Sequence, residues 1–496
     1  MTVLSEPRAG VEPNRPDANT GAPAPSIGDR LTQHEWWGLV WFAIGAVLGA
    51  RSLRDNSFLT HLATGRLILD HGAVHVDPYT FTVHGTPWVV QSWGASIIYA
   101  SAERALGDWA IRGVIALVTG LLLATVWRLT RPAGGLLSRI VLMALVGGAQ
   151  FAAWSARPQI FAFALLAAAM LVLVERRSAW WLLGIFALWI NMHGSFPVGI
   201  VAVGLTSLAL VIERRERWVR ILTTGFAAAG GSIVGALVSP YGLDILWFPV
   251  KLLGRSAVLK YIVEWRQPSI HDVTTWFAIA LAVTALWSIA RRRAWGWMPL
   301  VIVFTAMGAW STRNLVLAAI VAVPAVAPGL EGLGTFPSVP SLSWRKAVVG
   351  GAAVMAVVLA GVGLSNDWDL SEYPVAAVDW AQSHHLVANP SVRVVTHDYV
   401  GNYLELRYGS RANAFVDDRA EVFSLQNTED YVSLLAPKSK LGDWQRVLDR
   451  YRADVVIWSA HSAGLVQALA ASPRWHTGYR DADWIVSCRV SARLNC

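Results

Sequence analysis

Asp55 stands three residues beyond Arg51-Ser52, where the first apolar run of the chain ends. A carboxylate at that depth is in reach of water and close to hydrocarbon. It suits one chemistry in particular: taking a proton from an acceptor hydroxyl as that hydroxyl attacks a sugar carbon whose leaving group is a lipid phosphate. The same residue also suits the N-cap of a helix beginning near Asn56, where its charge complements the helix dipole. His61, one to two turns further on, can orient that carboxylate, hold a phosphate oxygen, or face water as a lone interfacial histidine.

Further candidates lie at the ends of later apolar runs. Arg157-Pro158-Gln159 and Arg313-Asn314 each bring a guanidinium to a helix end, where it can grip a phosphate bidentately or snorkel to lipid headgroups. Asn191-Met192-His193-Gly194-Ser195 interrupts a hydrophobic run with polar and Gly residues, whose backbone needs water or a ligand at that depth. That location suggests a substrate contact, against the plainer reading of a turn with His193 bonded to a neighbour. Between Ser239 and Asp272 lie Lys251, Lys260, Glu264, Trp265 and Arg266, a mixture that suits a sugar-binding edge or a membrane-surface anchor. Glu264 is the second candidate for a catalytic carboxylate. Asp367-Trp368-Asp369 and Asp481-Ala482-Asp483 fit a loose metal-binding pattern too short to be specific. We therefore expect no required cofactor, although carboxylate and phosphate oxygens would suit a divalent magnesium or manganese.

The elements that must position these residues are membrane spans. Of the 496 residues 54% are apolar and 15% charged, with a mean hydropathy of +0.44, which exceeds what a soluble core needs. The net charge of +8 sits mostly in short blocks between apolar runs, so it orients helices and does not form a nucleic-acid stripe. Arg outnumbers Lys 36 to 5, the usage of a GC-rich bacterial genome. Eleven spans are predicted, near 36–52, 108–128, 140–156, 158–174, 179–191, 195–212, 221–239, 273–290, 297–311, 313–330 and 346–364. With the N-terminus inside, five short connections carry fourteen positive charges, from Arg128 to Lys346, whereas the three opposite ones contain only Arg157 and Arg313. The positive-inside rule then puts Asp55 and the C-terminal segment outside. Residues 88–106 form an alternative span, which that charge bias opposes.

Residues 1–34, rich in Pro, Ala and Gly, are expected to be a disordered cytoplasmic tail without a signal peptide, and residues 35–365 the transmembrane domain. Its first outer loop, 53–107, is predicted to hold an interfacial helix over Ser57–Asp70. A second amphipathic helix is predicted to start at Thr86-Pro87 and to carry Gln91, Trp93 and Tyr99. Residues 366–496 alternate strands (Arg393–Thr396, Ala412–Val416, Asp454–Trp458, Trp484–Arg489) with helices (Val375–His385, Asn402–Tyr408, Trp444–Arg452, Ala463–Ala471), as an extracytoplasmic α/β domain would. There Asp417-Asp418-Arg419-Ala420-Glu421 reads as a structural turn or as an acceptor-recognition cluster. Tyr399, Gly401, Asn402 and Tyr403 read as a turn entering a helix. Cys488 and Cys496 can form one bridge if exported, although two free thiols is the favoured reading.

A first span, a long first outer loop with an acid at its beginning, many further spans and an exported C-terminal domain together resemble the GT-C superfamily of polytopic glycosyltransferases. That superfamily includes the protein mannosyltransferases and the lipid A aminoarabinose transferases. The chain is also similar to a group of uncharacterised bacterial membrane proteins with the pattern Asp55-x-x-Phe58-x-x-His61-x-x-x-Gly65, Asp77-Pro78, Pro87-Trp88 and Gln91-x-Trp93. The resemblance implies a polyprenyl-phosphate sugar as donor and Asp55 as catalytic base, which His61 by its position can assist. Arg157, Asn191, His193, Glu264, Arg313, Asn314, Gln91 and Trp93 would then hold substrate. It further implies a bacterial cytoplasmic-membrane enzyme that acts on an extracytoplasmic glycan, lipid or protein of the cell envelope. Where mannosyltransferases often pair two acids, this chain has Asp55-Asn56. The alternative is a transporter or flippase for a lipid-linked glycan, which makes no bond, or a non-catalytic assembly protein. The near-absence of charge within the spans and the gathering of polar motifs at their outer ends favour an interfacial enzyme.

Overall fold

The computed structural model describes residues 37–150, 154–333, 367–436 and 444–496, with isolated positions between 350 and 361. The expected tail over 1–34 lies outside the described residues, and so does nearly all of the eleventh span.

Leaving out single turns, the first part of the chain is helical: α1 (Trp37–Gly49), α2 (Asn56–His71), α3 (Trp93–Leu106), α4 (Asp108–Leu129), α5 (Leu136–Gln150), α6 (Gln159–Val174), α7 (Trp180–Met192), α8 (Phe196–Ile212), α9 (Val219–Val238), α10 (Asp244–Leu253), α11 (Val273–Arg292), α12 (Met298–Trp310) and α13 (Leu315–Val326). Among the described residues four stretches are long and apolar enough to cross a membrane: Asp108–Ala133, Val219–Val238, Val273–Arg292 and Thr312–Leu330. Six shorter apolar helices accompany them, at 10–17 residues each, below the roughly 20 that a bilayer core asks of an untilted helix. Large apolar side chains such as Phe226, Leu237, Val238 and Ile302 are exposed on these helices. That outward surface is compatible with a membrane-embedded body.

Small residues set the close approach of α1 to α4. Gly45 and Gly49 lie one turn apart on α1, and a Cβ on Gly45 would come within 2.5 Å of the Thr119 carbonyl of α4. Backbones can approach so closely only with such residues, and the gain is dispersion contact that lipid cannot replace. At one end of the bundle the Arg-rich connections meet. Arg128 and Arg177 both pair with Glu175, Arg176 reaches Glu216 at 3.5 Å, and Arg291 donates to the Gly329 carbonyl at 2.7 Å.

At the other end α2 and α3 cross so tightly that a Cβ on Gly65 would lie 2.0 Å from the Ser96 carbonyl. The helix predicted from Thr86-Pro87 begins instead at Trp93. Residues 76 and 87 form a β-bridge, the Asp77 N–H donates to Thr86 and the Trp88 N–H to His75 (both 2.8 Å), so this backbone bonds sideways and cannot close helical turns. Residues 88–106 accordingly hold a turn and a short helix with Glu103 and Arg104 near its end, and Trp93–Leu106 is not among the membrane-length stretches.

The C-terminal part has a four-stranded sheet, β1 (Val394–Thr396), β2 (Val455–Ser459), β3 (Trp475–Arg480) and β4 (Trp484–Arg489), in the order β1-β2-β4-β3. The β1–β2 pair is parallel and the other two are antiparallel. Helices α14 (Val375–Ser383), α15 (Asp398–Tyr408), α16 (Leu425–Leu435), α17 (Trp444–Arg450) and α18 (Ala463–Ala470) surround it. Neither α16 nor β3 is foreseen in the sequence. The Ala412–Val416 segment does not join the sheet: Ala414 donates to the Tyr79 carbonyl (2.9 Å) and accepts from the Phe81 N–H (3.0 Å). Those bonds tie the C-terminal part to the first loop. Cys488 and Cys496 form a disulfide, which corrects the reading of two free thiols.

Candidate functional site

Asp55 is fixed by the start of the C-terminal part. The Leu53 N–H donates to the Asp367 carbonyl at 2.7 Å, and the Leu53 carbonyl accepts from the Asp369 N–H at 3.0 Å. Buried Arg112 caps the end of α1 through the Ala50 carbonyl and pairs with Asp367 at 2.7 Å, while the Trp368 indole donates to Asp108 at 2.7 Å. Asp367 and Asp369 thus belong to a structural clasp. Asp481 likewise serves a turn, accepting the N–H groups of Asp483 and Trp484. Among the described residues no three His, Cys, Asp or Glu side chains gather in a manner suited to a metal ion.

Asp55 occupies the N-cap position of α2 with extended backbone (φ −73°, ψ 126°), yet its side chain caps nothing. Its carboxylate accepts instead from Arg157 Nε, which lies 2.8 Å from both oxygens. Arg157 Nη2 also donates to Asn56 Oδ1 at 3.2 Å, and Nη1 contacts Glu264. One guanidinium therefore serves two carboxylates, both candidates from the sequence. Beside Glu264, the Trp265 ring carries the Arg313 guanidinium 4.8 Å from its centre, and Ser311 Oγ donates to the Glu264 carbonyl at 2.9 Å. The residues from four separate connections thus make one group with two positive and two negative charges.

Two histidines stand close by. His61 Nδ1 lies 3.3 Å from Ser96 Oγ; desolvation chiefly, and then the charges of Arg157 and Arg419, hold its pKa down at about 3. His193 Nδ1 accepts from the Ser195 N–H at 3.2 Å, and desolvation with the nearby Arg313 and His61 lowers it to about 3 as well. Both rings are therefore neutral at ordinary pH, and extra positive charge at the site comes from arginine.

Other candidates from the sequence are bonded into the scaffold. Asn191 spends its amide on the Ala187 and Gly235 carbonyls (2.9 and 3.0 Å) and accepts from the Trp93 indole at 2.7 Å. Gln91 Oε1 accepts from the Gly194 N–H at 3.0 Å, and Asn314 donates to the Met307 carbonyl at 3.0 Å. These four hold the connections around His193 and Arg313 in place.

The acidic cluster of the C-terminal part is built into a second, buried network. Arg419 Nη2 lies 2.6 Å from both Asp77 and Asp417 and 3.8 Å from Glu405, and its guanidinium stacks over Trp88 and Tyr79. Glu405 accepts from Thr60 on α2, and Glu421 from the Trp88 indole at 3.1 Å. Burial, with Asp417 adding, drives the Glu405 pKa well up even against Arg419. Asp418 takes a bond from Ser57, two residues beyond Asp55, and burial pushes its pKa up to about 7. The Asp77-Pro78 and Pro87-Trp88 motifs therefore form the platform on which this cluster sits.

Two cavities are present among the described residues, and the charged group enters one of them through Asp55. A polar one of about 850 Å³ has Arg54, Asp55, Asn56 and Ser155 on one wall and Glu372, Tyr373, Tyr399, His461, Asp483 and Trp484 on the other. An apolar one of about 550 Å³ runs among α11, α12 and α13, lined by Leu281, Leu300, Phe304 and Leu315, with Gln267 and Pro268 at its edge. Sequence reasoning missed Tyr373, Trp484 and the facing of these two walls, since nothing local links residues more than 300 positions apart. No family model matches the chain, and neither does any curated protein.

Proposed function

We propose that this chain is a membrane glycosyltransferase of GT-C type, which moves a sugar from a polyprenyl-phosphate carrier to an acceptor hydroxyl outside the bacterial cytoplasmic membrane. The observation that carries this reading is the Asp55–Arg157–Glu264 group, whose Asp55 lines the polar cavity, with Arg313 held over the ring of Trp265 next to Glu264.

In this reading the donor phosphate lies against Arg157 and Arg313, and the prenyl chain occupies the apolar cavity that begins beside Gln267. When phosphate takes up the Arg157 guanidinium, the Asp55 carboxylate oxygens are left free to accept from the acceptor hydroxyl in the polar cavity. The acceptor oxygen forms a bond to the anomeric carbon, the carbon–oxygen bond to phosphate breaks, and its electron pair leaves on the lipid phosphate. The acceptor proton passes to Asp55, and attack from the face opposite the phosphate inverts the anomeric centre. No metal is required in this scheme, because two guanidinium groups offset the phosphate charge.

Orientation follows the charge rule, with the arginine-rich end in the cytoplasm, the site outside and the N-terminus inside. The Cys488–Cys496 disulfide supports an oxidising compartment for the C-terminal part. The test is transfer from radiolabelled polyprenyl-phosphate sugars by the purified protein in proteoliposomes, wild type beside Asp55→Asn. Equal transfer by both would remove Asp55 as base. Passage of the labelled lipid across the bilayer with no product formed would make the protein a transporter.

A further inference from the structure

Resting on that reading of the site, we propose that the polar cavity between the first-loop wall and the C-terminal part is an acceptor cleft for a neutral glycan, gripped by Tyr373, Tyr399, Trp484 and Glu372. At about 850 Å³ it falls within the roughly 300–1,000 Å³ of small-molecule sites, and Asp55 lies in its wall.

The lining decides the chemistry. Tyr399 lies 6.0 Å from the Tyr373 ring and 6.1 Å from Trp484, both edge to face, and His397 stacks on Tyr399 at 5.3 Å, so the half-buried Tyr399 and the accessible edges of the buried Tyr373 and Trp484 border one side. Such rings meet the C–H faces of a pyranose, and their polar ends meet its hydroxyls. Around them stand Glu372 and the Asp483–His461 pair (2.9 Å), groups that accept from or donate to vicinal hydroxyls. The charged side chains lining this wall are the carboxylates Glu372 and Asp483, with His461 beside them, whereas the cavity's arginine, Arg54, stands on the facing wall next to Asp55. A phosphorylated or polyanionic acceptor is disfavoured on that wall, and a hydroxyl-rich neutral chain is favoured. Because the wall and Asp55 share one cavity, a glycan on the aromatic side presents its terminal hydroxyl to the carboxylate.

The experiment uses the full-length protein in lipid nanodiscs with gluco-, manno-, galacto- and arabino-pentaoses as probes. Binding is read by saturation-transfer NMR and by tryptophan fluorescence. At least one pentaose should bind the wild type, and Tyr399→Leu and the exposed Glu372→Gln should each weaken it by about 10-fold or more. Melting curves check that both variants fold; should Tyr399→Leu fail to, Glu372→Gln alone carries the test. Binding of none of the pentaoses, or binding unaltered in the folded variants, overturns the cleft. So does transfer to a serine- or threonine-containing peptide with KM unaffected by either substitution, an outcome that leaves the transferase reading standing. Glycan binding that depends on both residues supports the cleft even if no lipid-phosphate sugar is consumed, in which case the transferase reading alone fails.

Discussion

One guanidinium joins the two acids of the site. Arg157 is shared by Asp55 and Glu264, so removing it leaves two carboxylates facing one another in a partly enclosed space. Asp55→Asn should reduce sugar transfer by about 100- to 10,000-fold, the range for loss of a general base, with donor binding nearly unchanged. Measured kcat at saturating donor checks it. On the proposed reading Arg157→Gln should instead raise the KM for the lipid phosphate as well, because it would remove a phosphate partner and leave Asp55 without its guanidinium. The histidines make a separate prediction about stability. His61 has a pKa of about 3 when folded against 6.5 in an open chain, so across that interval the unfolded chain binds more protons. Stability from this residue is complete above about pH 6.5 and is lost as the pH falls toward 3. His61→Gln should therefore narrow the difference in melting temperature between about pH 7.5 and about pH 5, read by differential scanning fluorimetry.

Single elements depend on close approach and on the buried ion network. Gly65→Ala would force its methyl into the Ser96 carbonyl and part α2 from α3, at a cost of about 1–3 kcal/mol seen as a lower melting temperature. Arg419→Met leaves Asp77, Asp417 and Glu405 without their buried cation and should cost about 3–5 kcal/mol, with the C-terminal part becoming sensitive to limited proteolysis. Helix-forming periodicity is strong and local, so α2 is legible from Phe58, Leu62 and Leu69, and most helices of the body from their apolar runs. Helix ends are also legible from charge and polar breaks, which is why Asp55, Arg157, Glu264 and Arg313 can be picked out before the fold is seen. Their bonding to one another is not legible, nor is the partner of Asp77, since Arg419 lies 342 residues away and carries no local signal. Thr86-Pro87 misleads for a related reason: a cap-like pair is overridden when its neighbours bond across to His75 and Asp77. Ala412–Val416 has the look of a strand, but its backbone turns at Ala412 and Asn413 and only Ala414 forms a bridge, to a loop near the start of the chain.

At the scale of the molecule two ends differ in chemistry, one tied by arginines and the other built around carboxylates and aromatic rings. Cysteines introduced at Ser178 and at Ser391 should separate these ends: an impermeant maleimide added to intact spheroplasts should label Ser391→Cys and spare Ser178→Cys. The reverse pattern would invert the orientation argued from charge. The Arg419 network also orders events during synthesis. Asp77 emerges early, yet the cation that neutralises it is made 342 residues later, so the first loop remains an unfinished structure until nearly every helix has been synthesised. A chain cut short before that arginine leaves Asp77 with its bonds to Tyr79 and Thr80 but without its buried cation.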